Sequence, residues 1–290
     1  MKHSFVEVSG TRTRIAEWGN ANNPVVLCLH GLGSTQLSFI EVAEALKNDF
    51  YFISIDLPAH GKTAPFESED DYRIDRIAEW VNDLCIVLDI KDFYLLAHSW
   101  GGQIAMFYYS KYFENVKKML LIDGGYHIPS FVDSYNLANG TGLTSLEENL
   151  EFYRRDFDGY IFDTMENFIG AEKINYPRWS ELLNAATMDL AVIKDNKYCW
   201  HVPGNIAEKC LTGIYECPPD IIYAKIKSSK AGNNILLLQA AIPENLLYRD
   251  ILAEKFRSET GGVVKKIPLT HMMHWENPEL VINEVRNCFT

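Results

Sequence analysis

The sequence has no apolar run that approaches the roughly 20 consecutive residues needed to cross a bilayer. Residues 1–8, MKHSFVEV, also lack the apolar core of a secretory signal. We therefore expect a soluble protein that resides in the cytoplasm and has no membrane as a partner.

Basic residues are scarce. The chain has 27 Lys and Arg against 39 Asp and Glu, which gives a formal net charge of −12. Short basic pairs such as Lys117-Lys118 and Lys265-Lys266 lie beside predicted strands. Nucleic acids and anionic membranes are bound through clustered Lys and Arg, so we expect no nucleic acid as a partner.

Cysteines are few and have no paired spacing. None of the six forms a Cys-x-x-Cys pair, and Cys28 and Cys85 fall within apolar segments. This pattern predicts reduced thiols in the core instead of disulfides or a zinc site. The sequence also lacks internal repeats and low-complexity tracts.

What the chain does have is a regular alternation of apolar runs and helical patterns. With 290 residues, 47% of them apolar, it can bury one large core. Near-continuous apolar runs predict parallel strands at 25–29, 51–55, 93–96 and 119–122, and the same rhythm of strand and helix predicts two more at 234–239 and 263–267. Helices are predicted at 35–47, 74–88, 99–113, 246–256 and 278–288. Strands that are apolar throughout indicate a sheet covered on both faces.

Two strands at 5–8 and 13–18 alternate charged with apolar residues, as an antiparallel edge pair does. The predicted fold class is therefore α/β, a mostly parallel eight-stranded sheet flanked by helices. The segment 128–230 interrupts the alternation, and we expect it to be helical. Its aromatic residues recur at near-helical spacings with Leu150: Tyr153, Phe157, Tyr160, Phe162 and Phe168.

The stretch 95–105, LLAHSWGGQIA, passes from an apolar strand into a helix with Ser99 at the corner. Ala97 and Gly101, two positions to either side, are small enough to let the strand and helix approach closely. The backbone of Ser99 and Trp100 lies at the helix start, where free N–H groups favour an oxyanion. A serine that only caps a helix is the alternative interpretation.

This corner resembles the nucleophile elbow of the α/β-hydrolase family, whose motif reads Gly-x-Ser-x-Gly. Ala97 replaces the first glycine, as in some bacterial lipases and intracellular polyester depolymerases. In that family a lid follows the sixth strand. The resemblance therefore implies a core of residues 1–127 and 231–290 with a helical cap at 128–230, whose aromatic residues line an apolar substrate pocket.

The loop after the first parallel strand reads His30-Gly31-Leu32-Gly33-Ser34. By the same resemblance, the backbone N–H groups of Leu32 and Trp100 form the oxyanion hole. His30, Gly31 and Trp100 are expected to border the substrate. An ordinary glycine-rich turn is the alternative.

The turn 56–63, DLPAHGKT, resembles the family's Asp-x-Pro-Gly-His-Gly-x-Ser turn. We assign its Asp56 and His60 to loop structure and not to catalysis.

A serine hydroxyl needs an imidazole to accept its proton. The segment 270–279, THMMHWENPE, resembles the family segment in which the first histidine is catalytic, so we predict His271 as the general base. His274 is an alternative base, and the two histidines could also suggest a metal pair. A polar residue at the pocket rim is the role we expect for His274, and we predict no metal site.

The sequence departs from the family pattern at the position of the carboxylate that orients the imidazole. Pro243 stands where the usual aspartate is expected after the seventh strand. Either Glu244 or Asp123, at the end of the sixth strand, could replace it, and some family members use the sixth-strand position. We favour Asp123 because a strand end places a side chain more rigidly than a loop does.

These assignments predict a serine hydrolase that cleaves a small-to-medium, largely apolar carboxylic ester or lactone through an acyl-enzyme on Ser99, with no cofactor. Serine at the elbow argues against dehalogenase or epoxide-hydrolase chemistry, in which related enzymes use aspartate. The alternatives are a ligand-binding signalling protein on the same scaffold, an acyltransferase and a carbon–carbon bond hydrolase. The sequence does not indicate an oligomeric state.

Overall fold

A computed structural model describes all 290 residues. The strands are β1 (Lys2–Val8), β2 (Thr11–Trp18), β3 (Val25–Leu29), β4 (Tyr51–Ile55), β5 (Phe93–His98), β6 (Val116–Ile122), β7 (Ile161–Phe162), β8 (Ala191–Lys194), β9 (Lys197–Trp200), β10 (Ile235–Ala240) and β11 (Val263–Ile267). The helices are α1 (Ile40–Leu46), α2 (Ile74–Val87), α3 (Ser99–Tyr112), α4 (Pro129–Asn139), α5 (Leu146–Gly159), α6 (Met165–Lys173), α7 (Glu181–Asp189), α8 (Gly204–Glu216), α9 (Tyr223–Ser228), α10 (Tyr248–Thr260), α11 (Met273–Glu276) and α12 (Pro278–Phe289).

The main sheet has eight strands in the order β1-β2-β4-β3-β5-β6-β10-β11. β2 pairs antiparallel with both β1 and β4, whereas the pairs from β4 to β11 are parallel. The predicted fold class is confirmed.

Helices cover both faces of this sheet, which explains why β3, β4 and β5 are buried along nearly their whole length. On β5, Leu95 and Ala97 pack into the core on one face, together with α2, α3 and α10. Leu96 packs into the core on the other face with α1 and α12. No helix combines the length and apolar character that crossing a membrane would require. All six cysteines are unpaired, and four of them are buried.

The segment between β6 and β10 contains a second sheet that the sequence analysis did not predict. Its three antiparallel strands lie in the order β7-β9-β8. The β8–β9 turn is made by Asp195 and Asn196, whose φ angles of 51° and 59° suit the tight hairpin turns favoured by Asp and Asn. This two-residue turn was the sequence signal for the hairpin.

The aromatic residues of this segment do not form one helical stripe. Tyr153 and Phe157 lie on α5, but Phe162 lies in β7 and Phe168 in α6. The rings cluster instead around Trp200, whose centroid is 4.7 Å from that of Tyr160. The near-helical spacing was therefore misleading, since most of these rings bury one another.

Parallel strands all end at the same edge of a sheet, so their carboxyl ends lie together there. Residues directly after β3, β5 and β6 meet there: His30, Ser99 and Asp123. His271 lies on the loop after β11 at the same edge, close to Ser99.

Candidate active site

Ser99 stands at a sharp turn between β5 and α3. Its φ angle of 52° lies in the left-handed region, which is strained for a residue other than glycine. At Gly101, an added Cβ would lie 2.4 Å from the carbonyl oxygens of both Leu29 and His30, so only glycine fits. Ala97, which replaces the first glycine of the family motif, is fully buried in β5. The packing thus accepts alanine at the first position but not at the last.

The imidazole of His271 lies beside the Ser99 hydroxyl, with Nε2 2.9 Å from Oγ. Its loop is held in place by Thr270, whose backbone N–H and hydroxyl both donate to Glu276 Oε2 at 2.8 Å. The ring of His98 adds a contact of 3.1 Å to the carbonyl oxygen of His271. The imidazole therefore lies within hydrogen-bonding distance of the hydroxyl.

Asp123 completes the arrangement, with Oδ2 2.7 Å from His271 Nδ1. Its Oδ1 accepts hydrogen bonds from the hydroxyl of Tyr126 at 2.8 Å and from the backbone N–H of Ala240 at 3.0 Å. Burial would raise the pKa of Asp123, but the hydrogen bond and charge of His271 outweigh it and keep the pKa well below its ordinary value. The carboxylate is therefore ionised and oriented.

Glu244, the alternative acid, is exposed in the loop between β10 and α10 and makes no hydrogen bond with His271. The structure thus brings Ser99, His271 and Asp123 together and leaves Glu244 outside the site.

The two predicted oxyanion donors border the same cavity as Ser99. The backbone N–H of Leu32 makes no hydrogen bond within the protein. Trp100 lies in the first turn of α3, where backbone N–H groups have no carbonyl partner four residues earlier. Both residues therefore border the Ser99 cavity with a backbone N–H that has no intrahelical or loop carbonyl partner.

The assignment of His30 to substrate binding is corrected by the structure. Its side chain is fully buried. Its Nδ1 lies 2.8 Å from the carbonyl oxygen of Gly31, and Nε2 accepts the backbone N–H of Leu57 at 3.0 Å. Burial lowers the pKa of His30 to about 3, so the ring is a neutral link between two loops. Gly31 does border a cavity at Ser99.

Asp56 and His60 hold the neighbouring turn, as expected. Asp56 is fully buried and accepts a hydrogen bond of 2.5 Å from Arg14 Nε. It also accepts the backbone N–H groups of Gln36 and Lys62. His60 is fully buried, with Nδ1 3.0 Å from the carbonyl oxygen of Pro58.

His274 lies in the core and not at the pocket rim. Its side chain is only 1% exposed, and Nε2 lies 3.0 Å from the hydroxyl of Ser38. The ring packs against those of Phe39 and His98. It cannot reach a substrate, because the short helix α11 turns it inward. No group of three or more His, Cys, Asp or Glu side chains is placed to hold a metal ion.

Two cavities meet at the Ser99 hydroxyl, and both are bordered by Ser99, His271 and Leu32. The larger cavity has a volume of about 520 Å³ and the smaller cavity about 180 Å³. The smaller cavity has mainly aromatic and aliphatic walls with one carboxyl group: Tyr176, Leu190, Trp200, Met272, Trp275 and Glu172.

The larger cavity differs from the expected apolar pocket. Several of its walls are polar: Gln103, Asp133, Asn136, Asn149, Tyr215 and Arg249. Of the aromatic residues expected to line a pocket, only Tyr153 borders the larger cavity, and none borders the smaller one. The polar groups come from α3, α4, α5, α8 and α10, whose meeting point could not be read from the chain.

Three residues at the site were missed by sequence reasoning. Tyr126 follows Asp123 by three positions across a Gly124-Gly125 turn, and this spacing was a usable signal. Glu172 and Arg249 each lie on the buried face of their helix, four positions after Phe168 and three before Leu252, so a charged residue at an apolar position was the available signal.

Known proteins with similar sequences share this fold. A family model described as the alpha/beta hydrolase fold matches residues 24–225. The human serine hydrolase-like protein is 29% identical over 106 residues, which are 37% of this chain and 52% of that protein. A Drosophila melanogaster protein named as a probable serine hydrolase is 23% identical over 282 residues, covering 91% of this chain and 80% of that one.

Among solved structures, the thioesterase domain from the curacin biosynthetic pathway aligns with a TM-score of 0.76 at 17% identity, covering 99% of both chains. The matches to the two human serine hydrolase-like proteins span 52% and 34% of those proteins' lengths. The family model covers more than half of this chain and includes the elbow and the oxyanion loop. The chain belongs to the alpha/beta hydrolase fold family.

Proposed function

We propose that this protein is a serine hydrolase that cleaves a carboxylic ester or lactone through an acyl-enzyme on Ser99. The observation that carries the proposal is the continuous chain of contacts from Ser99 Oγ to His271 Nε2 at 2.9 Å and from His271 Nδ1 to Asp123 Oδ2 at 2.7 Å. A serine, an imidazole and an ionised carboxylate in this order form a proton relay suited to acyl transfer.

In this mechanism, His271 accepts the Ser99 proton as Oγ attacks the acyl carbon. The backbone N–H groups of Leu32 and Trp100 stabilise the oxyanion, each by about 3 kcal/mol. His271 then gives this proton to the leaving oxygen as the substrate's acyl carbon–oxygen bond breaks. In the second half, His271 deprotonates a water molecule that attacks the acyl carbon, and it returns that proton to Ser99 Oγ as the acid leaves. Asp123 keeps the imidazole in the required tautomer throughout. The chemistry uses no metal and no organic cofactor.

The substrate must have two parts that extend from the scissile bond, because two cavities meet at Ser99. The smaller cavity, with its aromatic walls, suits a small apolar group. The larger cavity holds a medium-sized group with polar character. We propose that the segment 128–230 acts as the cap, since it supplies Asp133, Asn149 and Tyr215 to the larger cavity and Trp200 to the smaller.

The names of the matched relatives support hydrolysis. The human relative is named a serine hydrolase-like protein, and the Drosophila relative is named a probable serine hydrolase. Epoxide hydrolase 4 of mouse is also similar, at 26% identity over 143 residues, but an epoxide-opening carboxylate is absent at this elbow, where residue 99 is serine.

The test is covalent labelling by a fluorophosphonate probe together with turnover of para-nitrophenyl acetate and butyrate. Wild-type protein should be labelled once, at Ser99, and should release nitrophenol over many turnovers. Ser99→Ala should do neither. Ser110→Ala is the matched control, since Ser110 lies on the same helix and its hydroxyl donates only to the carbonyl oxygen of Phe107.

An unlabelled wild type would refute the proposal. Labelling with a single slow turnover would favour the ligand-binding alternative instead. Product transfer to an added alcohol in preference to water would indicate an acyltransferase.

A further inference from the structure

The guanidinium of Arg249 borders the larger cavity without an anionic partner. Its side chain is 9% exposed, yet no carboxylate lies within 4.0 Å of its nitrogens. Nη2 makes no hydrogen bond that meets the geometric criterion, Nε is buried without a partner, and the polar side chain beside the guanidinium is the uncharged Tyr248 phenol. A buried cation is ordinarily paired, because removing it from water is costly. Arg249 therefore lacks the partner that its burial calls for.

The side chain is nevertheless held in place. Nη1 donates to the carbonyl oxygen of Ile242 at 2.9 Å and to that of Ala240 at 3.4 Å. The Ala240 carbonyl is at the end of β10, the Ile242 carbonyl is in the loop that follows, and Arg249 lies at the start of α10. These contacts fix one edge of the planar group and leave Nη2 free for a ligand. A guanidinium fixed in this way can donate hydrogen bonds to a carboxylate in a defined orientation.

The other charged groups of the larger cavity do not neutralise it. Asp133 is bound by the hydroxyl of Tyr215, at 2.9 Å from Oδ2, and lies 3.4 Å from the amide nitrogen of Asn149. Asp123 does not border the cavity and is hydrogen-bonded to His271, although the charge of Arg249 contributes to lowering its pKa. Burial lowers the pKa of His127 to about 4, so this ring is neutral at pH 7. Arg249 is thus an unpaired cation in the wall of the cavity that also contains Ser99.

We propose that Arg249 binds a carboxylate group of the substrate, so that the preferred ester carries an anion on the part that occupies the larger cavity. This inference rests on the proposed hydrolase function. It narrows the substrate class to half-esters and related esters of dicarboxylic acids, whose second carboxylate remains free. The bond that breaks is still the acyl carbon–oxygen bond at Ser99, and water still supplies the new hydroxyl.

The competing explanation is structural. Arg249 ties the loop after β10 to α10, and its charge also helps to lower the pKa of Asp123. A purely structural arginine would affect charged and neutral substrates alike, whereas an anion-binding arginine must discriminate between them. The experiment therefore measures a ratio.

The substrates are para-nitrophenyl hydrogen glutarate and its neutral counterpart, para-nitrophenyl methyl glutarate, each corrected for spontaneous hydrolysis. For wild-type protein, kcat/KM should be about tenfold or more higher for the carboxylate ester, the value of one good charge-assisted hydrogen bond. In Arg249→Gln the ratio should fall to near one, mainly through KM. Arg249→Lys should keep part of the preference, because it retains charge but loses the planar fork.

Arg257→Gln is the matched control. Arg257 is on the same helix, exposed, and paired with Glu254 at 2.7 Å, far from either cavity lining. Its loss removes the same charge, so an unchanged ratio excludes a general electrostatic effect. A wild-type ratio near one, or equal losses on both esters in Arg249→Gln, would overturn the inference while leaving the hydrolase intact.

Direct binding separates the two proposals. Calorimetry with monomethyl glutarate, a monoanion, should show binding to Ser99→Ala and none to the double variant Ser99→Ala with Arg249→Gln. Neutral dimethyl glutarate should bind both weakly and equally. If wild-type protein hydrolyses neither ester but this difference is found, the anion site stands and the hydrolase proposal fails. If no difference is found, the anion site is refuted.

Discussion

His271 and Asp123 lie 2.7 Å apart through Nδ1 and Oδ2, although 148 positions separate them in the chain. The backbone explains how this contact is held. The N–H of Asp123 donates to the carbonyl oxygen of Leu238 on the neighbouring strand at 2.8 Å, so the end of β6 is pinned to β10. The Asp123 carboxylate therefore lies at the end of a strand held in the sheet, and the loop after β11 brings the imidazole to it.

Replacing Asp123 with asparagine should abolish most activity. Asparagine keeps the size of the side chain but cannot hold His271 in the tautomer that accepts the Ser99 proton, so kcat for para-nitrophenyl butyrate should fall by about 10⁴. Steady-state kinetics on the purified variant measure this. Fluorophosphonate labelling should slow in parallel.

Glu244→Gln is the matched control, since Glu244 is exposed and has no contact with His271. It should keep kcat within about twofold of wild type. A large loss in Glu244→Gln alone would transfer the role of the acid to that loop.

Gly101→Ala should destabilise the protein strongly. The new Cβ would lie 2.4 Å from two backbone carbonyl oxygens, and neither strand end nor helix start can move away without opening the elbow. We expect the free energy of unfolding in urea to fall by about 3 kcal/mol or more. Gly170→Ala, on the exposed side of α6 with no atom within 4 Å of the added Cβ, should be neutral or stabilising by up to about 1 kcal/mol. Equal stability of the two variants would contradict the packing at the elbow.

Arg14 should be central to the attachment of the segment 128–230. It lies on β2, is 4% exposed, and binds Asp56 at 2.5 Å and, through two nitrogens, Asp189 at 2.9 and 2.5 Å. Arg14→Met leaves two carboxylates without their cation. The free energy of unfolding should therefore fall by about 3–5 kcal/mol.

Arg12→Met is the corresponding control on the same strand, because Arg12 is exposed and only stacks on the ring of Phe5 at 3.6 Å. Its cost should be about 1 kcal/mol or less. Urea denaturation at pH 7 compares the two variants. A similar decrease in the free energy of unfolding in both would mean that the ion pairs with Asp56 and Asp189 do not stabilise the fold.

Mild acid should weaken the fold through buried histidines. Burial lowers the pKa of His274 to about 3 and that of His30 to about 3. In the unfolded chain each histidine has a pKa near 6.5, whereas in the folded protein it stays neutral to much lower pH. As the pH falls below 6.5, the unfolded state therefore binds more protons than the folded state, and the free energy of unfolding decreases. Asp123, whose folded pKa is lowered, loses its stabilising contribution only below its unfolded pKa of about 4.

The difference between wild type and His274→Gln isolates one such histidine. Between pH 6.5 and 4.5, wild-type protein should lose about 2 kcal/mol more of its free energy of unfolding than the variant does. Urea titrations at several pH values measure both slopes. Parallel slopes would show that His274 is protonated in the folded state.

The elements and their order followed from local sequence. β11 (Val263–Ile267) begins and ends as predicted, and α2 and α3 each end within one residue of the prediction. Periodicity reports burial, and burial on both faces is what a covered parallel sheet requires. The β8–β9 hairpin was not predicted, because its strands are short and half-exposed and lack a continuous apolar run.

The sequence by itself determined the fold, the elbow at Ser99 and the choice of His271 as the candidate base, because each depends on neighbouring residues along the chain. Only the tertiary structure decided that Asp123 and not Glu244 faces His271, that His30 and His274 are buried, and that Arg249 borders a partly polar cavity. Those outcomes depend on which strand ends and helix faces meet in space, and contacts between segments more than a hundred residues apart leave no mark in local spacing.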